Sequence, residues 1–74
     1  MRFDYSALRG RIVEYYGTTA AFASKIGISR SSLSLKLNNK SGWKQDEIER
    51  ARSALNIRVP EVTKYFFCVR SSEN

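Results

Sequence analysis

Polar chemistry is concentrated in two places along the 74 residues. Arg30, Ser31, Ser32 and Ser34 fall within one short run, and Lys36, Asn38, Asn39, Lys40 and Lys44 follow closely. These are cations and hydrogen-bond donors with no carboxylate among them, a set suited to holding an anion. The second concentration, Asp46, Glu47 and Glu49, has only the superficial look of an acid–base cluster, because acidic residues belong in the first turn of a helix. Histidine is absent, which removes the commonest general base near neutral pH and the commonest metal ligand. The single cysteine, Cys68, has no partner for a disulfide or a metal spacing, and its apolar neighbours predict a buried small hydrophobe. We therefore expect no enzyme activity, no metal and no cofactor.

The charge is placed unevenly. Thirteen Lys and Arg against seven Asp and Glu give +6. Residues 1–44 hold eight bases and two acids, Asp4 and Glu14, and residues 45–74 hold five of each sign, so the whole excess lies in the first part. Between Tyr15 and Gln45 there is no acid at all. Such a segment attracts a polyanion, an anionic membrane or an acidic protein. A membrane surface fits least well, because the charge is not gathered on one strongly amphipathic helix. No apolar run approaches the roughly 18 residues of a membrane span, and the N-terminus lacks the apolar stretch of a signal peptide. These features, with the lone cysteine, predict an intracellular protein.

The elements that would position these residues are helical. Seventy-four residues make one small domain, expected over 1–70, with a frayed polar tail over 71–74. From Tyr5 to Tyr16 the apolar residues Tyr5, Leu8, Ile12 and Tyr15 or Tyr16 recur at steps of three and four, with Arg9, Arg11 and Glu14 on the other side. Asp4 is placed to cap this first helix and Gly17 to stop it. Thr18 caps a second helix running to Ile26, with Phe22, Ala23 and Ile26 inward. Gly27 ends it, and Ser29 caps a third helix, Arg30 to Leu37, whose inner positions are Leu33 and Leu37. Residues 38–42 read as a loop. A fourth helix follows, with Lys44 at the N-cap and with Trp43 and Ile48 at the spacing of a hydrophobic staple; Asn56 stops it in a left-handed turn. Pro60 opens a short turn over Glu61–Lys64. Tyr65 to Val69 reads as a strand or extended arm that packs on the helices, pairs with residues 2–4, or pairs with a second copy in a homodimer. The fold class expected is all-α: a compact bundle of four to five helices with a short extended C-terminal arm.

The second and third helices meet the requirements of a helix-turn-helix. Ala23 is small enough for a close crossing, Gly27 supplies the left-handed turn, and Ile28 and Leu33 plug the angle. With Leu33 and Leu37 inward, Ser31, Ser32, Ser34, Leu35 and Asn38 point outward and Arg30 stands at the entering end. The run Thr19-x-x-Phe22-Ala23-x-x-Ile26-Gly27-Ile28-Ser29, continuing to Leu33-Ser34, resembles the helix-turn-helix of the Cro and lambda-repressor-like superfamily. Over nearly the whole chain, Phe3-Asp-Tyr-Ser, Gly17-Thr, Leu37-Asn-Asn-Lys40, Gln45-Asp-Glu-Ile48 and Tyr65-Phe-Phe67 resemble small Cro-like or modulator-of-repression proteins of temperate phages of Gram-positive bacteria.

That resemblance implies a five-helix DNA-binding fold acting in a lysis/lysogeny switch, in the cytoplasm of a bacterial host. It puts the third helix in the major groove of operator DNA, with Arg30, Ser31, Ser34 and Leu35 at base edges and Thr19, Ser32, Lys36, Asn38, Asn39, Lys40 and Lys44 on the backbone. Arg30 forks onto a guanine and Leu35 meets a thymine methyl in this reading. Thr19 departs from the family, which often has a longer Gln there. Three serines and an exposed leucine make a poor reader of sequence, so the same face equally suits an antirepressor that covers the DNA-binding domain of a CI-type repressor.

Overall fold

The computed structural model describes residues 2–69. Among them are five helices: α1 (Ser6–Tyr16), α2 (Thr19–Ile26), α3 (Arg30–Leu37), α4 (Gln45–Ala54) and α5 (Val62–Phe66), the last entered through a single 3-10 turn, Val59–Glu61. The chain is all-α, as its periodicity predicts; the tail beyond residue 69 lies outside the described residues.

Local signals place most of the boundaries. The Thr18 hydroxyl accepts from the Ala21 N–H and the Ser29 hydroxyl from the Ser32 N–H, each satisfying an amide that a helix start leaves bare. Gly27 turns left-handed at φ 79°, and the Ile28 N–H returns to the Ala23 carbonyl. Asn56 (φ 55°) performs the same reversal after α4. At the start of α1 the cap differs from expectation. Tyr5 holds the N-cap position, while the Asp4 carboxylate accepts from the Ser6 N–H at 2.9 Å and so serves α1 from one residue further out.

α2 is the central element, packing on α1, α3 and α4, while α5 closes against α1. The core is continuous: Leu8 and Ile12 from α1, Phe22, Ala23 and Ile26 from α2, Leu33 and Leu37 from α3, Ala51 from α4, then Leu55 and Ile57. Tyr65 and Phe66 complete it. This corrects the reading of Tyr65–Val69 as one extended arm. Together with Val62, those two aromatics fall at the three- and four-residue spacing of a helix face, and burying both rings needs α5 to continue through them. Phe67 caps α5, its N–H still donating to the Thr63 carbonyl, and only Cys68 and Val69 pair with the chain's own N-terminal segment. Phe3 and Val69 form an antiparallel bridge, and the Asp4 N–H donates to the Cys68 carbonyl. Cys68 is exposed, not buried: it lies in the short segment beyond α5, past the last core residue, Phe66. The staple is present, with Trp43 and Ile48 both packed on the core and the Trp43 ring edge-on to Phe66 at 5.1 Å.

Candidate functional site

α3 is held by three fixtures. Leu33 and Leu37 anchor its inner face, the left-handed Gly27 sets its angle to α2, and an ion pair ties its last turn to α4. Lys36 Nζ lies 2.9 Å from Glu47 Oε1, with both side chains almost wholly enclosed, and it also donates to the Gly42 carbonyl at 3.1 Å. The same Glu47 oxygen accepts from the Lys44 N–H at 2.8 Å, so one carboxylate caps α4 and neutralises Lys36. Burial raises the Glu47 carboxyl pKa, but the Lys44 N–H and the bond and charge of Lys36 outweigh it and hold the group below its ordinary value.

With α3 fixed in this way, its outer face stays exposed. Arg30, Ser31, Ser34 and Leu35 are exposed and, with Thr19 from the first turn of α2, line one shallow depression. The residues expected at base edges are thus brought together, and Leu35 stands bare at 48 % exposure. Arg30 is the one charged residue in the lining.

The residues expected on a phosphate backbone do not stay together. Lys40 and Lys44 are exposed and Ser32 is half-buried. Lys36 is corrected outright: it flanks the Leu33–Leu37 stripe, and its ammonium is used up by Glu47 and Gly42 inside the fold. Asn39 is corrected too. At φ 61° its amide clamps the Phe3 backbone, accepting from the N–H at 2.8 Å and donating to the carbonyl at 2.9 Å. Asn38 is exposed, but it donates back to the Ser34 carbonyl and accepts from Arg9.

Arg11 is likewise a structural residue. It donates to the Leu55 carbonyl at 3.0 Å and the Asn56 carbonyl at 2.9 Å, and its guanidinium sits over the Tyr15 and Tyr65 rings at 4.9 and 5.6 Å. The Arg11–Tyr15 spacing of four is a signal for this stacking. Two of the eight bases in residues 1–44 are therefore spent inside the molecule.

A second recess, not anticipated from the sequence, lies between α4 and the segment Val59–Phe67, floored by apolar side chains. No metal-binding cluster of His, Cys, Asp or Glu occurs among the described residues, and no helix there is long and apolar enough to cross a membrane.

A family model for a protein of unknown function, DUF739, matches residues 1–68. The chain belongs to the DUF739 family. Every described helix of this DUF739 protein lies in the matched region, as do the α3 face and the α4 recess. Among solved structures it is similar to the modulator of repression of the temperate bacteriophage TP901-1 from Lactococcus lactis. The two are 44 % identical, with a TM-score of 0.80, over 95 % of this chain and 97 % of that one. No curated protein sequence gives a match to this DUF739 chain.

Proposed function

We propose that the protein is an antirepressor of a temperate phage, acting inside the bacterial host by binding a CI-type repressor and keeping it from its operator. The observation that carries this reading is the similarity to a phage modulator of repression at 44 % identity over nearly the full length of both chains. The chemistry of α3 agrees with it. The outer face offers three short hydroxyls, a bare leucine and a single long discriminating side chain, Arg30, where a sequence reader places several bidentate donors.

A second reading, direct contact of α3 with operator DNA in the manner of Cro, is supported by the depression that gathers Thr19, Arg30, Ser31, Ser34 and Leu35 without an acid. The two readings separate in one experiment. The chain is mixed with the repressor of the same phage and with duplex operator, each alone and both together, and the species are weighed by light scattering after gel filtration. The antirepressor reading expects a stable complex with the repressor and loss of the repressor–operator complex. A site-selective complex with the operator alone, and none with the repressor, refutes it.

A further inference from the structure

A pocket of about 370 Å³ opens between the N-terminal segment, the loop after α3 and the end of α5. Its walls are aromatic: Phe3, Tyr5, Trp43, Phe66 and Phe67. Phe3 stands edge-on to Phe67 at 5.9 Å and Trp43 edge-on to Phe66 at 5.1 Å, the arrangement aromatic pairs favour, so the walls brace one another. The volume lies at the small end of the range for ligand sites, about 300–1,000 Å³, and suits a compact ring system.

Two polar groups among these rings lack the partners that burial demands. The Trp43 indole N–H is buried with no acceptor in hydrogen-bond geometry. The group that feels it is the Tyr5 hydroxyl: burial raises the pKa there and the indole draws it back only in part, a contact too loose to satisfy either. Tyr5 is 7 % exposed, and its O–H donates to no acceptor among the described residues. Buried donors are normally satisfied, so such an exception in a cavity wall marks room for an acceptor. On the rim, Lys40 is exposed with no ion pair among the described residues, and the lining contains no acid. Along α4, by contrast, Asp46 and Glu49 are each answered by an arginine of the same helix.

We propose that this pocket binds a small aromatic acid, its ring among Phe3, Trp43 and Phe67 and its anionic group on the Tyr5 O–H and the Lys40 ammonium. Hydrogen bonds to an ionised acceptor are the strong ones, and the aromatic walls supply the rest of the contact. The site is distinct from the α3 face and stands independently of the antirepressor reading. It also adjoins a fixture of α3. Gly42, in the same lining, carries the carbonyl that accepts from Lys36 at 3.1 Å, so a bound ligand stabilises the loop that helps to hold that helix.

The chain has one tryptophan, so its indole N–H gives a single nuclear magnetic resonance signal that reports on the pocket. The full chain, labelled with nitrogen-15, is titrated separately with benzoate, phenyl phosphate, benzyl alcohol and acetate. Saturable shifts of the Trp43 indole and of the Lys40, Ser41 and Gly42 amides are expected with benzoate or phenyl phosphate, at a Kd of about 1 mM or tighter, and the tighter of the two names the anionic group. Benzyl alcohol has the ring without the charge and acetate the charge without the ring; each is expected to bind at least about tenfold more weakly. Tyr5→Phe and Lys40→Gln, checked for folding by their amide spectra, should each weaken the tighter acid about fivefold to tenfold, the loss of one charge-assisted bond. No saturable shift with either acid overturns the proposal. An equal response to benzyl alcohol leaves only an apolar hole, and an equal response to acetate means an adventitious ion only; both overturn it. Unchanged affinity in both variants overturns the placement of the anionic group. Duplex operator that shifts these resonances when neither acid does assigns the pocket to nucleic acid and overturns the choice of ligand.

Discussion

Replacing Lys36 by Met tests how α3 is held. The substitution keeps the length of the side chain and removes the ammonium that Glu47 and the Gly42 carbonyl share. Breaking an enclosed ion pair from one side costs about 3–5 kcal/mol, because the remaining charge is left without a partner. Here Glu47 keeps the Lys44 N–H, which places the expected loss near the lower end, about 3 kcal/mol. In a domain of this size each kcal/mol moves Tm by about 4–8 °C, so thermal unfolding should fall by roughly 12–24 °C. Adding Glu47→Gln removes the stranded charge and keeps a side chain that can accept from Lys44, so the double variant should be more stable than Lys36→Met alone. The pH dependence carries the same information. The Glu47 carboxyl is lowered in the fold, so on acidification the unfolded chain takes the proton first. Its contribution is complete above the ordinary carboxylate pKa and is lost as pH falls through the lower folded value. Urea unfolding of the wild type should weaken across that window, and in Glu47→Gln the slope should flatten. A loss in Lys36→Met of less than about 1 kcal/mol, the range of an exposed pair, refutes the claim that this bond positions α3.

The other expectations are independent of that pair. Arg11→Met removes two bonds to carbonyl oxygens and the stack between Tyr15 and Tyr65, and should cost about 2–3 kcal/mol in urea unfolding, with Arg11→Lys recovering only part. Asn39→Gly retains the left-handed backbone and loses the clamp on Phe3, so the Phe3 amide should exchange with deuterium markedly faster while the α2 amides keep their protection. Gly27→Ala meets no neighbouring atom but forces a Cβ onto φ 79°, and should lower stability by about 1–2 kcal/mol by thermal melt. Duplex DNA binding through the α3 side would draw on Lys25, Arg30, Lys40 and Lys44 at most, giving a slope of log K on log salt no steeper than about −3.6; a slope near −6 would mean that a different surface is engaged.

Helix starts and stops were legible because each is decided within a few residues. Thr18, Gly27, Ser29 and Asn56 act through their own side chains or their own φ, and all four do as their types predict. The outward face of α3 was legible for the same reason, since Leu33 and Leu37 fix the wheel. What the sequence hid depends on pairs distant along the chain. Lys36 looks like any basic residue on a helix edge until Glu47, on another helix, folds against it. Asn39 looks like a polar loop residue until Phe3 arrives to take both ends of its amide. Tyr65 and Phe66 have strand-like composition, and the helical core they must fill overrides that propensity. The α4 recess was hidden too, because Ile48, Val59, Val62 and Phe67 share no single period and are brought to one recess only by the fold.

The charge excess shows why placement matters more than number. A balance of +6 confined to residues 1–44 reads as an invitation to nucleic acid, yet the fold withdraws Lys36 and Arg11 from the surface and ties Arg9 to the Leu37 carbonyl and Asn38. Of the acids at the start of α4 only Glu47 is buried. Asp46 and Glu49 remain on the surface, but each is answered by a base of its own helix, Arg50 at 3.3 Å and Arg52 at 2.6 Å, so this part of the chain is neutral locally as well as by count, and the one exposed charge in the α3 depression, Arg30, stands without a paired acid beside it in that lining.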